Sequence, residues 1–246
     1  MHTEAPLGHI VAMGGGGFSS EPDNPLLDDF VLSLVPHRPV RVCFVPTASA
    51  DSATYIANFY RAFADRARAT DLTLFDAPSL RRRPASTNDL PSFVAEQDVL
   101  YVGGGSTANL LALWRAHGLD RLLRDAWARG AVLCGISAGM LCWFRGGVTD
   151  AFGELRALDD GLGLIDASAC PHYDGEADRR PAYHRSVAEG TLGAGYAADD
   201  GAALHFRGTE LVEAVGSTPG AAAYRVELVD GRVIERTLRT RYLGDV

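Results

Sequence analysis

The sequence predicts an α/β fold: a mostly parallel sheet with helices on both faces and a mixed β extension at the C-terminal end. Three observations predict it. Short, continuously apolar runs alternate with segments of helical spacing through the first two-thirds of the chain. Three of those runs end in clusters of glycine or other small residues. The last third changes to short strand-like runs separated by Asp-Gly turn signals at residues 160–161, 200–201 and 230–231. A strand that is apolar along its whole length has no polar face for water, so both of its faces must be covered, as in parallel α/β sheets.

The first expected strand is residues 9–13, ending in Gly14-Gly15-Gly16-Gly17. A second, residues 40–45, stops at Pro46. Asp51-Ser52 can cap a long helix through about Ala69, with Tyr55, Ile56, Phe59, Tyr60 and Phe63 at helical spacing. Residues 72–75 form the expected third strand, and Asn88 can cap a short helix. A fourth strand, 99–102, ends in Gly103-Gly104-Gly105. Ser106 then starts a helix closed by Gly118, and a second helix runs to about Arg129 before Gly130. Residues 131–136 are the fifth strand, and residues 140–144 can continue a buried helix. Further strands are expected near 162–165, 202–206, 211–215, 223–228 and 233–234, with a helix near 181–189. A chain of 246 residues can bury a sizeable core, and residues 1–246 read as one domain.

Composition excludes some classes of function. The net charge is -8 and no basic block is longer than Arg81-Arg82-Arg83, so no concentrated basic face exists for nucleic acid. The N-terminus lacks a basic segment followed by an apolar one, and no apolar run approaches the ~18–20 residues that span a bilayer. Cys43, Cys134, Cys142 and Cys170 form no C-x-x-C pair and read as reduced thiols of a cytoplasmic protein.

In open α/β sheets ligands bind beyond the carboxyl ends of the strands, so the three small-residue loops should meet around one crevice. One of them, Gly135-Ile136-Ser137-Ala138-Gly139, fits the G-x-S-x-G elbow. Such a turn exposes a serine hydroxyl and sets a helix N-terminus beneath a developing oxyanion. Ser137 is therefore the candidate nucleophile; the bland alternative is a tight strand–helix turn without chemistry. A serine hydroxyl needs a base, usually histidine. His2, His9, His37 and His117 read as structural or solvated. His172, in Cys170-Pro171-His172-Tyr173-Asp174, is the best candidate, because Pro171 fixes the local backbone; His184 and His205 are weaker ones. Asp150 or Asp200 could orient that histidine, although an aspartate before glycine, as in Asp200-Gly201, often only forms a turn. For an oxyanion hole, Ala138 supplies one backbone N–H, and Gly104 or Gly105 the second. The run at residues 14–17 lacks the last glycine of a dinucleotide fingerprint, and no acid closes the second strand. His172 and Asp174 have no partners at ligand spacing. No metal and no cofactor are expected.

Gly-Gly-Gly-Ser-Thr at a strand end, then Gly-Ile-Ser-Ala-Gly, then Pro-His-Tyr, in that order, resembles the peptidase E (aspartyl dipeptidase) and cyanophycinase family of serine peptidases, over roughly residues 8–215. The resemblance implies a flavodoxin-like fold akin to class I glutamine amidotransferase domains, with serine in place of the amidotransferase cysteine. It also implies a metal-free serine–histidine–acid site. Ser137 matches the family nucleophile and His172 its histidine. Asp150 matches one acid proposed in the family, and Asp200-Gly201 matches a Glu-Gly proposed as another. Aspartyl specificity implies a cation for the substrate carboxylate. Arg179, Arg180 or Arg185 could supply it, in a segment that is shorter here and rich in acids. The expectation is a cytoplasmic serine peptidase of small peptides, dipeptidase E-like, with no nucleic-acid or membrane partner and with a homodimer left open. The alternatives are a hydrolase of another acyl bond (cyanophycinase-like or an esterase) and a silent flavodoxin-like binding module.

Overall fold

A computed structural model describes residues 8–75 and 90–244. The chain runs β1 (His9–Met13), α1 (Gly17–Ser20), α2 (Leu26–Ser33), β2 (Arg41–Val45), α3 (Ala53–Phe63), β3 (Arg68–Asp71), α4 (Leu90–Ala95), β4 (Val99–Val102), α5 (Thr107–His117), α6 (Leu119–Ala128), β5 (Val132–Ile136) and α7 (Ala138–Leu141). It continues through β6 (Phe144–Thr149), β7 (Arg156–Leu158), β8 (Ile165–Cys170), α8 (Arg179–Ala188), β9 (Gly195–Ala198), β10 (Ala202–Arg207), β11 (Glu210–Gly216), β12 (Ala223–Val229), β13 (Arg232–Thr237) and β14 (Thr240–Tyr242).

Among the described residues these strands form two sheets. The larger has the order β14-β11-β10-β1-β5-β4-β2-β3, and its run β1-β5-β4-β2-β3 is parallel throughout. Successive strand residues serve opposite faces. Ile10, Ala12, Cys43, Val45, Leu100 and Val102 pack with α4, α5 and α6. Val11, Met13, Val42, Phe44, Val99 and Tyr101 pack with α1, α2 and α3. The continuous apolar strands of the sequence thus bury both faces, as the α/β class requires.

The C-terminal third is more than an extension of that sheet. β10, β11 and β14 do join it, with β10 antiparallel to β1. However, β6, β7, β8, β9, β12 and β13 build a second sheet of order β13-β12-β9-β8-β6-β7. Its outer face packs on α8 through Val148, Cys170, Tyr183, Ala197 and Val226. Its other face joins the main core, where Phe144 and Tyr196 meet Phe206 of β10.

Several expected boundaries move. The third strand lies at Arg68–Asp71, not at 72–75, and α3 ends at Phe63, not near Ala69. Leu72 and Leu74 supplied the apolar signal because they plug the core just after an edge strand that is itself half exposed. After the elbow, α7 stops at Leu141, and Phe144 already begins β6. The strand expected at 162–165 is β8, which begins only at Ile165. Asn88 lies outside the described residues, ahead of α4. Ser106 and Gly118 bound α5 as expected: the Ser106 hydroxyl accepts the Asn109 N–H, and Gly118 takes φ 70°. All four cysteines are buried free thiols.

His205, on β10, is buried beside His9, with 2.8 Å between Nε2 and Nδ1. Burial, then the neighbouring His9, pushes its pKa from 6.5 down to about 4. A histidine depressed in the folded state favours folding fully above its unfolded value. That contribution fades as the pH falls from about 6.5 towards 4, because only the unfolded chain takes up the proton. We expect denaturant unfolding to lose about 2–3 kcal/mol over that window from this group. His205→Leu should flatten that part of the profile; an unchanged slope would contradict the assignment.

Candidate active site

The carboxyl ends of five strands, β1, β4 and β5 of the larger sheet and β8 and β9 of the second, carry the site. β5 ends at Ile136, and Ser137 follows with φ 58° and ψ −111°. That conformation is costly for a residue with a side chain and is found where surrounding structure enforces it. The enforcing contacts are short. A Cβ on Gly139 would overlap the Val102 carbonyl, and one on Gly135 would lie 2.6 Å from the Gly139 carbonyl. The flanking glycines let the turn press onto β4, and α7 starts directly beneath it.

His172 follows β8 and Pro171, also in the left-handed region at φ 50°. Asp200 sits in the turn where β9 of the second sheet passes to β10 of the first. His172 Nδ1 lies 2.6 Å from Asp200 Oδ1. The imidazole bonded to it, assisted by the Arg179 cation, holds the Asp200 carboxyl below the usual carboxylate range against the opposing effect of burial. An ionised carboxylate only accepts, so Nδ1 carries a proton toward Asp200 and Nε2 is the ring nitrogen placed to act as a base. Asp200 is held in turn: its N–H donates to Asp174 Oδ1 at 2.8 Å.

These segments hang from one strand end. The carbonyls of Met13, Gly14 and Gly15 accept, in succession, the N–H groups of Ser137 (3.1 Å), His172 (3.3 Å) and Gly201 (3.2 Å). Two residues of chain span at most about 7 Å. The serine, the histidine and the aspartate turn are therefore gathered within that stretch. Side-chain room is the condition for this. A Cβ on Gly15 would overlap Asp200 Oδ1 and approach His172 Nδ1 to 3.2 Å. Gly15→Ala should push Asp200 off the imidazole and lower kcat/KM for peptide hydrolysis at least ~10²-fold, the scale of a 1 Å misplacement. Kinetics beside a melting curve check it; wild-type rates in a folded variant would contradict it.

Opposite the serine lies the glycine end of β4. A Cβ on Gly104 would stand 3.3 Å from Ser137 Cβ. Within this loop Gly103 N–H donates to Val45 O, Gly104 N–H to Tyr55 Oη and Ser106 N–H to Ala48 O. Among the described residues, the N–H groups of Gly105 and Ala138 have no protein acceptor. Ala138 directly follows Ser137, and Gly105 directly follows Gly104, the residue that faces the Ser137 side chain.

Comparison with known proteins adds the family. The model of "Peptidase family S51" matches residues 10–214. The chain belongs to peptidase family S51. An "Uncharacterized peptidase YgaJ" of Bacillus subtilis strain 168 is 52% identical over 236 residues, 96% of this chain and 99% of that protein. Two solved structures share the fold at 18% identity. A peptidase from an acI-B1 Actinobacterium has a TM-score of 0.68, covering 96% of each chain. A putative peptidase E protein from Listeria monocytogenes EGD-e has a TM-score of 0.59, covering 95% of this chain and all of that one. This S51 member is a serine-type peptidase, a hydrolase.

On the S51 scaffold, some expected site residues take other positions. Asp150 does not meet His172. Its carboxylate faces Arg179 at 3.7 Å, while Asp200 holds the imidazole. Of the three arginines expected to receive a substrate carboxylate, Arg179 and Arg180 are engaged. Arg179 is only 3% exposed; it bonds Glu176 at 2.7 Å and the Val148 carbonyl at 3.2 Å. It therefore ties the histidine loop to β6 and is not open to a ligand. Arg180 is paired with Glu235 and lies over the rings of Tyr173 and Tyr224. Arg185 is exposed on the last turn of α8. His184 bonds Tyr173 and Glu235, and His205 is paired with His9 inside the main sheet. Among the described residues, no helix is long and apolar enough to cross a membrane.

Two contributors escape a reading of motifs. The carbonyls of Met13, Gly14 and Gly15 act through backbone, so their only trace in sequence is the missing side chains of the first glycine run. Tyr55 reads as one more apolar position of α3, yet its hydroxyl reaches the β4 loop.

Proposed function

We propose that the protein hydrolyses small peptides through an acyl-enzyme on Ser137. The observation that carries this reading is the suspension of Ser137, His172 and the Asp200 turn from three consecutive carbonyls. His172 Nε2 takes the Ser137 proton as Oγ attacks the scissile carbonyl, while Asp200 holds Nδ1–H and stabilises the imidazolium. The N–H groups of Ala138 and Gly105 receive the oxyanion. The imidazolium then protonates the leaving amine, and His172 activates the water that cleaves the acyl-enzyme.

The charges beside the histidine loop bear on the substrate class. Arg179 and Arg180 are already neutralised by Glu176, Asp150 and Glu235, so a P1 carboxylate finds no free cation there. A panel of aspartyl and non-aspartyl di- to tetrapeptides tests the reading. Cleavage of peptides of both kinds, abolished in Ser137→Ala, supports it. Cleavage of esters alone, or peptide cleavage that survives Ser137→Ala, contradicts it.

A further inference from the structure

We propose that Tyr55 is a positioning residue for this reaction: its hydroxyl takes the Gly104 N–H and so leaves Gly105 as the β4 loop's oxyanion donor. The inference rests on the reading of Ser137 given above and goes one step past it.

The geometry of four successive amides carries it. Gly103 N–H is fixed on Val45 O at 3.2 Å, and Ser106 N–H on Ala48 O at 2.8 Å. Gly104 N–H lies between them and needs an acceptor, which Tyr55 Oη provides at 3.3 Å. With those three bound, the peptide planes immediately before and after the Gly104–Gly105 peptide are held, and the Gly105 N–H carried by that peptide is the donor left over. Gly105 itself takes φ 134°, and a Cβ there would overlap the Ala48 carbonyl, so the loop cannot relax outward on that side.

Tyr55 is well held for this task. Its own N–H donates to the Ser52 hydroxyl that caps α3. Its ring packs edge-on against Phe44 and tilted against Phe18, and its hydroxyl donates to Ser19 Oγ at 2.7 Å. Ser19 lies on α1, just past the first glycine run. Tyr55 therefore links the loop that holds the serine and histidine to the loop that faces them. Burial raises the phenol above its ordinary value, so it stays a neutral donor and acceptor. The contact also accounts for Gly103, where a Cβ would come within 2.9 Å of Tyr55 Cε1.

Tyr55→Phe keeps the ring packing and removes only the hydroxyl. Losing an oxyanion donor outright costs ~10²–10³ in kcat, so loosening one should cost about tenfold. We expect kcat per active site, titrated with a fluorophosphonate, to fall about tenfold while KM stays within about twofold. Affinity for a peptide boronic acid, which mimics the tetrahedral state, should fall by the same factor, with the binding of product peptide unchanged. A purely structural role would lower melting temperature and titratable sites but leave kcat per site alone; that result overturns the proposal. Ser137→Ala separates the two levels. If it is inactive and Tyr55→Phe is fully active per site, only the role of Tyr55 falls. If Ser137→Ala still cleaves peptides, both fall.

Discussion

Ser137→Ala is expected to lower kcat for peptide hydrolysis at least ~10³-fold, with the fold and peptide affinity intact. The size of the effect follows from what the hydroxyl does. Without it no acyl-enzyme forms, and the remaining machinery can only bind the peptide and polarise its carbonyl. In serine peptidases that residue-free background still exceeds the uncatalysed reaction by ~10³–10⁴, so a small remaining rate is expected. Ser137 makes the substitution structurally mild. Its backbone N–H donates to Met13 O, and its carbonyl accepts from Met140 and Leu141, none of which involves the hydroxyl. A residual rate within tenfold of wild type would mean that water, not Ser137, attacks the carbonyl.

Asp200→Asn is the second large effect, expected near ~10³–10⁴ in kcat. Asparagine fills the same space, but its amide presents either a neutral oxygen or an N–H to His172 Nδ1. In the second case the imidazole must carry its proton on Nε2, where the base is needed. Asp150→Asn should cost far less, within about threefold, because Asp150 touches only the edge of the Arg179 knot at 3.7 Å. The pair of variants is informative together, since both carboxylates flank the histidine loop and both follow from the sequence as candidates. Equal losses, or a larger loss at Asp150, would contradict the geometry. Asp200 also sets a direction for pH. Its carboxyl is depressed by the imidazole, so its contribution is present above the ordinary carboxylate range and is lost as the pH falls through its lowered value.

What could be read from sequence divides along physical lines. β1, β4 and β5 were legible because strands buried on both faces are apolar without interruption. β3 was not, because an edge strand needs no such run: it reads Arg-Ala-Thr-Asp, and the leucines behind it carried the signal instead. The second sheet was hidden for another reason. Its strands have the same short local pattern as β10 and β11, and only pairing between distant segments decides which sheet each joins. Ser137 was legible because an elbow is a local turn with local glycines. The partner of His172 was not, since that hydrogen bond spans 28 residues and Asp200-Gly201 also serves as an ordinary turn. The acid-rich segment around Arg179 already offered it a local partner, Glu176, whereas Asp150 and Glu235 come to Arg179 and Arg180 only through the fold.

One measurement bears most directly on Ser137. Wild-type protein is treated with a fluorophosphonate until peptidase activity is lost, and the adduct is mapped by peptide mass spectrometry. The expected result is one adduct per chain, on Ser137, growing in step with inactivation and slowed in Asp200→Asn. An adduct on another residue that tracks the loss of activity, or full peptide cleavage by protein already modified at Ser137, would contradict it.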